Sequence, residues 1–140
     1  MIWKNKIDID AINASSEQTL SGHLGIEFTE WGDDYISAKM PVDKRTVQPF
    51  GLLHGGASVV LAETIGSVAS LFCIKDTNKH VPVGVDINAN HLSSIRSGYV
   101  IGTARPYKIG RKLHVWNIEI VDEQGKMICV SRLTVAIIDQ

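Results

Sequence analysis

Residues 57–74, ASVVLAETIGSVASLFCI, form an 18-residue apolar run that carries one charge, Glu63. A helix this apolar must be enclosed by the rest of the chain, because it has no solvated face to offer water. The remaining chain is strand-like. Residues 81–92, 98–106, 113–122 and 126–138 are rich in β-branched and aromatic residues. Their connectors, SSIRSG, YKIGRK and EQGK, contain glycine and are short enough for antiparallel neighbours. A helix of about 20 residues spans roughly 30 Å, and strands of about 9 to 12 residues span roughly 30 to 40 Å. The expected architecture is therefore α+β: one domain over residues 1–140, with an antiparallel sheet wrapped around one long central helix.

Upstream, residues 8–21 favour one or two short helical turns with Ser15 as N-cap. Residues 24–30 and 35–42 read as a hairpin turning through WGDD. On the long helix, Leu61, Ile65, Val68 and Phe72 make the stripe expected to pack on the sheet. Val59, Glu63, Gly66, Ser67 and Ser70 fall on the opposite face, which is small and polar but lacks the lysines of a solvated surface. In the strand GVDINANH, Val83, Val85, Ile87 and Ala89 alternate with Gly84, Asp86, Asn88 and Asn90, and Trp116, Ile118 and Ile120 repeat the pattern later.

Composition excludes several partner classes. With 140 residues, 44% of them hydrophobic, the chain can bury a helix of this length. A net charge of −1 leaves no electrostatic footprint for nucleic acid or an acidic membrane. Cys73 and Cys129 have neither disulfide-framework nor metal spacing and read as core thiols of a reducing, cytoplasmic compartment. The five histidines show no metal-ligand spacing. No signal peptide is read at the N-terminus, and Glu63, the serines and Gly66 make residues 57–74 a buried helix, not a membrane span.

The segment QPFGLLHGG leads directly into this helix. Paired glycines after a histidine at a helix start leave backbone N–H groups open to a polarised carbonyl or an anion. Glu63 sits two turns further on with no Lys or Arg between Gly51 and Ile74. Desolvation of so isolated an acid is expected to raise its pKa and suit it to act as base or nucleophile, the alternative being a structural acid satisfied by a strand. From Gly55 to Glu63 the helix rises roughly 12 Å, too far for both to act on one carbonyl in one chain. The spacing thus predicts a homodimer with antiparallel helices and two shared sites. Ser67, one turn beyond Glu63, is expected to share its water or substrate, or to bond back to the Glu63 carbonyl.

The stretch QPFGLLHGGASVVLAETIGS together with GVDINANH resembles the hotdog-fold acyl-CoA thioesterases, and the likeness extends over nearly the whole chain. It is similar to the branch typified by the Arthrobacter 4-hydroxybenzoyl-CoA thioesterase. Within that branch it is similar to the 1,4-dihydroxy-2-naphthoyl-CoA hydrolases of menaquinone synthesis and their enterobactin-proofreading relatives. The resemblance implies that the Gly55 N–H polarises the thioester carbonyl and that Glu63 of the facing subunit activates water or attacks. It implies that Gln48 and His54 orient the thioester and that Ser67 holds the water. Read alone, Gln48 is equally a loop brace and His54 a local helix-start hydrogen bond.

The same resemblance runs the pantetheine arm from Gly84 to His91, Leu92, Ser93 and Ser94. It brings Lys108, Ile109, Gly110, Arg111 and Lys112 to the substrate or nucleotide. Arg96, Arg111 and Lys112 suit phosphate at an open rim, and a basic turn that is merely solvated is the alternative. Phe50, Leu53, Val68, Phe72 and Val83 are expected to form the acyl pocket. No metal or organic cofactor is implied, and two dimers stack into a homotetramer in this family. Glu63 in mid-helix, with no Asp nearer the helix start and no proline-rich dehydratase context, favours hydrolysis. A carrier-protein thioester as substrate, a non-catalytic acyl-CoA-binding protein and an acyl-thioester dehydratase stay open.

Overall fold

The structure is a computed structural model covering residues 1–140. Two short helices, α1 (Ile9–Ser16) and α2 (Leu20–His23), precede the hairpin β1 (Glu27–Trp31) and β2 (Ile36–Pro41). The long helix α3 (Gly55–Cys73) follows, then β3 (His80–His91), β4 (Tyr99–Ile109), β5 (Leu113–Asp122) and β6 (Met127–Asp139). The six strands form one antiparallel sheet in the order β1-β2-β4-β5-β6-β3, and α3 packs on β2 through β6. This is the α+β arrangement, a sheet wrapped around one helix, that the apolar run demanded. Length and composition alone would let α3 cross a membrane. Here its inner residues instead fill the core of the sheet.

The α1 N-cap is Asp8, whose carboxylate accepts from the Ala11 N–H; Ser15 lies inside the helix and its hydroxyl donates to the Ile12 carbonyl. An Asp at the first non-helical position satisfies an orphan N–H and favours the positive helix end, so it outcompetes a serine seven residues on.

The face of α3 that meets the sheet is Ala57, Ser58, Leu61, Ala62, Ile65, Gly66, Ala69, Ser70 and Cys73. Leu61 and Ile65 lie there as expected, but Gly66 and Ser70 lie there too, and Val68 and Phe72 are only half-buried. The small residues let a backbone approach that a stripe of large ones would block. A Cβ on Gly66 would stand 2.5 Å from Leu133 Cδ2. Around this seam Trp116, Ile118, Ile120 and Leu133 are fully enclosed, each contributing about 1.5–3 kcal/mol or more of apolar burial.

Strands β4, β5 and β6 are sequential antiparallel neighbours, but β3 is not beside β4; it pairs with β6 at the far edge. The SSIRSG connector therefore crosses the sheet end by the start of α3. Leu92 N–H donates to the Ile128 carbonyl at 2.8 Å, and Leu53 N–H donates to the Ile95 carbonyl at 2.8 Å. This crossing holds residues 91–94 against the loop before α3. In β3 the register shifts between Gly84 and Asp86, so the alternation breaks at Val85, and Gly84 joins Ile87 and Ala89 on the helix side. Val83 and Val85 are left exposed. At the other end, the Lys4 N–H donates to the Phe72 carbonyl at 2.8 Å and Asn5 Nδ2 donates to the Ile74 carbonyl at 2.6 Å. The N-terminal segment thus satisfies the last carbonyls of α3.

Candidate active site

The loop before α3 turns on Gln48 and Gly51: the Gly51 N–H donates to the Gln48 carbonyl at 2.9 Å. Gln48 Oε1 accepts from the Phe50 N–H at 2.5 Å and from the Leu52 N–H at 3.4 Å. The side chain does brace its loop, and bracing fixes its polarity. With the oxygen turned inward, the amide nitrogen remains free to donate. His54 behaves in the same way. It is the α3 N-cap, and its Nδ1 accepts from the Gly56 N–H at 2.8 Å. An accepting Nδ1 leaves the proton of the neutral ring on Nε2, pointing outward as a donor.

The His54 carbonyl accepts from the Ala57 and Ser58 N–H groups. The Gly55 N–H has no partner within the chain and is the open donor at the positive end of the helix. A Cβ on Gly55 would lie 2.8 Å from His91 Nε2, so only glycine lets the His91 ring close over this donor. Gln48, Leu52, Leu53, Gly55, Ser58, His91, Leu92, Ser93, Ser94 and Ile128 line one open hollow of about 380 Å³. Among the expected residues, the structure joins Gln48, Gly55 and residues 91–94 here.

Glu63 opens into a different hollow, of about 420 Å³, along the outer face of α3. Glu63, Thr64 and Ser67 are its polar lining, and Val59, Val60, Val68 and Leu20 of α2 its apolar walls. Glu63 makes no ion pair or side-chain hydrogen bond within the chain, and Ser67 does not bond back to the Glu63 carbonyl. Gly84 stands beside the acid, where a Cβ would come within 3.0 Å of Glu63 Oε2. The acid and the open N–H therefore occupy separate hollows of one chain, as the helical rise requires.

Other expectations need correction. Phe50 is 80% exposed, Val83 is exposed, and Phe72 lies under the N-terminal segment, so these residues do not form one acyl pocket with Val68. Leu20, 59% exposed on a four-residue helix, replaces them as a wall; nothing local in the sequence marks it. Arg96 donates to the Phe50 carbonyl at 2.9 Å and so braces the loop. Gly110, Arg111 and Lys112 lie at the opposite end of α3 from His91, on a third and larger cleft of about 930 Å³. Within one chain they are not brought together with residues 91–94. The helix between these ends is 19 residues, roughly 28 Å. Both cysteines are buried and unpaired, and burial pushes the Cys73 thiol up to about 12, which leaves it without nucleophilic character.

A central helix with an open N–H at its start, flanked by two oriented donors and with a solitary acid two turns on, defines the hotdog thioesterase class. The chain belongs to the Thioesterase superfamily, whose family model matches residues 50–129. It is 55% identical over 138 residues to the 1,4-dihydroxy-2-naphthoyl-CoA hydrolase of Escherichia coli, covering 99% of this chain and 100% of that protein. It is 50% identical over 137 residues to a proofreading thioesterase of Cronobacter turicensis, covering 98% of each. A thioesterase of Pseudomonas aeruginosa, solved as a glutamine-to-alanine variant, superposes with a TM-score of 0.98 at 46% identity over 100% of both chains.

Proposed function

We propose that this protein hydrolyses an aryl-CoA thioester of the 1,4-dihydroxy-2-naphthoyl-CoA type to the free acid and CoA, in two sites shared across a homodimer. The observation that carries the reading is the division of labour between the hollows. The helix start presents the open Gly55 N–H, and local bonds leave a nitrogen of Gln48 and of the adjoining His54 free to donate, while the acid that would act on the same carbonyl lines the other hollow.

The edge strand β3 supports the dimer. Its outer edge is unpaired, it leaves Val83 and Val85 exposed, and the neighbouring face of α3 leaves Val59, Val60, Val68 and Leu71 incompletely covered. A second copy pairing along β3 about a two-fold axis covers all of these. Opposing Gly55 to the partner's Glu63 sets Val59 across from its own copy at the axis. Two such dimers form a tetramer, and the unpaired buried thiols suit a reducing cytoplasm.

In the shared site the donors hold the thioester oxygen, and Glu63 of the facing subunit takes a proton from water as it attacks the carbonyl carbon, or attacks directly to form a mixed anhydride that water then hydrolyses, releasing the acid and restoring the carboxylate. The charge gathering on oxygen lies at the helix N-terminus, where a preorganised donor is worth about 3–4 kcal/mol. Collapse breaks the C–S bond, and the thiolate leaves and is protonated. Each step uses only the chain, the substrate and water, so the proposal needs neither metal nor organic cofactor. The apolar walls Leu20, Val60 and Val68 accept a ring, and the nucleotide phosphates would meet Arg111 and Lys112. A carrier-bound aryl thioester is the second reading, favoured by the 50% identity to a proofreading thioesterase.

Free-thiol release from a stable 1-hydroxy-2-naphthoyl-CoA analogue, benzoyl-CoA, a medium-chain acyl-CoA and an aryl-loaded carrier protein tests both readings. Preference for the naphthoyl ester supports the first and preference for the carrier the second. Binding without thiol release from any of them would replace hydrolysis with sensing or dehydration.

A further inference from the structure

His114, on the inner face of β5, is 2% exposed and belongs to none of the machinery above. Its Nδ1 lies 3.0 Å from Ser70 Oγ, and the same hydroxyl accepts from Trp116 Nε1 at 2.7 Å. An indole N–H can only donate, so Ser70 spends a lone pair on Trp116 and has its own proton for His114 Nδ1. The His114 backbone pairs with Ile109 across the β4–β5 hairpin, so the ring sits at the base of the tip that carries residues 108–112. The two rings are fixed edge to face at 78°, with centroids 6.4 Å apart. The result is a pair of side-chain bonds that tie His114 and Trp116 of β5 to Ser70 of α3.

These bonds join α3 to the strand end from which the β4–β5 tip projects. Ser70 is on α3, two turns beyond Glu63, and Gly110 is in the β4–β5 tip that carries Lys108, Arg111 and Lys112. The tip is held to its neighbouring strands by the Ile109–His114 and Leu113–Ala136 pairings, the Gly110 N–H to the Leu113 carbonyl at 2.8 Å and the Ile137 N–H to the Lys112 carbonyl at 2.9 Å, while the His114 side chain reaches the helix. His114 also lines the large cleft whose rim carries Lys75, Lys79, Arg111 and Lys112. We propose that His114 is a positioning residue for the nucleotide end of the substrate, joining the helix that carries Glu63 to the 108–112 tip and so fixing where the tip's cations stand relative to the carboxylate. The inference rests on the reading that this tip meets the CoA phosphates.

The test compares benzoyl-CoA with benzoyl-pantetheine, which keeps the thioester and lacks the nucleotide. His114→Phe fills the volume and breaks the bond to Ser70. It is expected to raise KM for the CoA ester roughly tenfold, the equivalent of one charge-assisted phosphate contact, with kcat and the pantetheine KM held. His114→Gln, which keeps a polar group within reach of Ser70, recovers part of the loss, and Ser70→Ala reproduces its direction even if His114→Phe does not fold. Equal changes for both esters, or a change in kcat alone, would reduce His114 to a structural residue and overturn the proposal. An Arg111→Ala/Lys112→Ala double variant separates the two levels. If it leaves the CoA-to-pantetheine KM ratio unchanged, the tip does not bind the nucleotide and the inference falls with that reading. If it moves the ratio and His114→Phe does not, only the inference falls.

Discussion

Gly84 of β3 lies directly against Glu63 of α3, with room for a Cβ only 3.0 Å from the carboxylate oxygen Oε2. A methyl group there pushes the end of a flexible side chain, which costs the fold little but moves the acid by a few tenths of an ångström. Misplacement of about 1 Å in a reacting group costs up to about 10² in rate. Gly84→Ala is therefore expected to lower kcat roughly tenfold with the thermal midpoint within about 1–2 °C of wild type, as read by thiol release beside a calorimetric scan. An unchanged kcat would separate β3 from the acid's alignment.

Glu63 has no partner in its own chain, so replacing it disturbs no ion pair. Glu63→Ala and Glu63→Gln are both expected to lower kcat by about 10² to 10⁴ while leaving the unfolding midpoint near wild type. Steady-state thiol release decides it, and activity within a few fold of wild type removes the carboxylate from the chemistry.

The separate hollows make a sharper demand on assembly. Glu63→Ala and Gly55→Val are each expected to be inactive, the second because its side chain strikes the His91 ring and covers the N–H. Mixed and exchanged, half of the dimers become heterodimers with one intact site, restoring about a quarter of wild-type activity. Native mass spectrometry confirms exchange; exchange without recovery would place the whole site in one chain.

What the sequence made legible and what it hid divide along a physical line. The helix, the hairpin and the four late strands follow from periodicity, Gly55 and Glu63 stand out through glycine placement and an isolated charge, and Gln48 and His54 are marked by the family resemblance; each is a local pattern. The face of α3 was misread at Gly66 and Ser70 because a helical wheel ranks residues by size and polarity. Here smallness permits close packing on Leu133, and the polarity of Ser70 is satisfied by Trp116 and His114, more than forty residues away. The bulge at Val85 moved Gly84 to the helix side, and no propensity signals a bulge at that step. Leu20 became a wall of the Glu63 hollow through tertiary placement alone, and the passage of β3 to the far edge is set by β6, which comes later in the chain.

Burial holds the His114 ring below the ordinary imidazole range, with the Gly110 backbone acting against that shift. The unfolded chain takes a proton near pH 6.5, the folded chain only at lower pH, so below about 6.5 the unfolded state binds more protons. The stability tied to this ring is thus present above about pH 6.5 and is lost as pH falls toward the folded value. His80 and Asp139 pair on the rim of the same cleft, with Asp76 nearby. The check is therefore the difference between wild type and His114→Gln in urea unfolding across pH 5 to 8. The wild-type curve should fall more steeply below about 6.5, and parallel curves would mean the ring is protonated without penalty.

Gly66 gives a prediction whose sign alone is decisive. If the residue faced outward, Gly66→Ala would stabilise the protein by about 1 kcal/mol through helix propensity. In the structure the added Cβ stands 2.5 Å from Leu133 Cδ2, and Leu133 is fully buried, so it has no free space to swing into. Overpacking at such a site costs about 1–3 kcal/mol, which outweighs the propensity gain across most of its range. The expected outcome is a net loss of about 1 kcal/mol, or roughly 2–4 °C in Tm for a domain of this size. Pairing the change with Leu133→Val, which removes the opposing methyl, should recover part of that loss in a double-mutant cycle. A stabilised Gly66→Ala protein would turn this face of α3 away from the sheet.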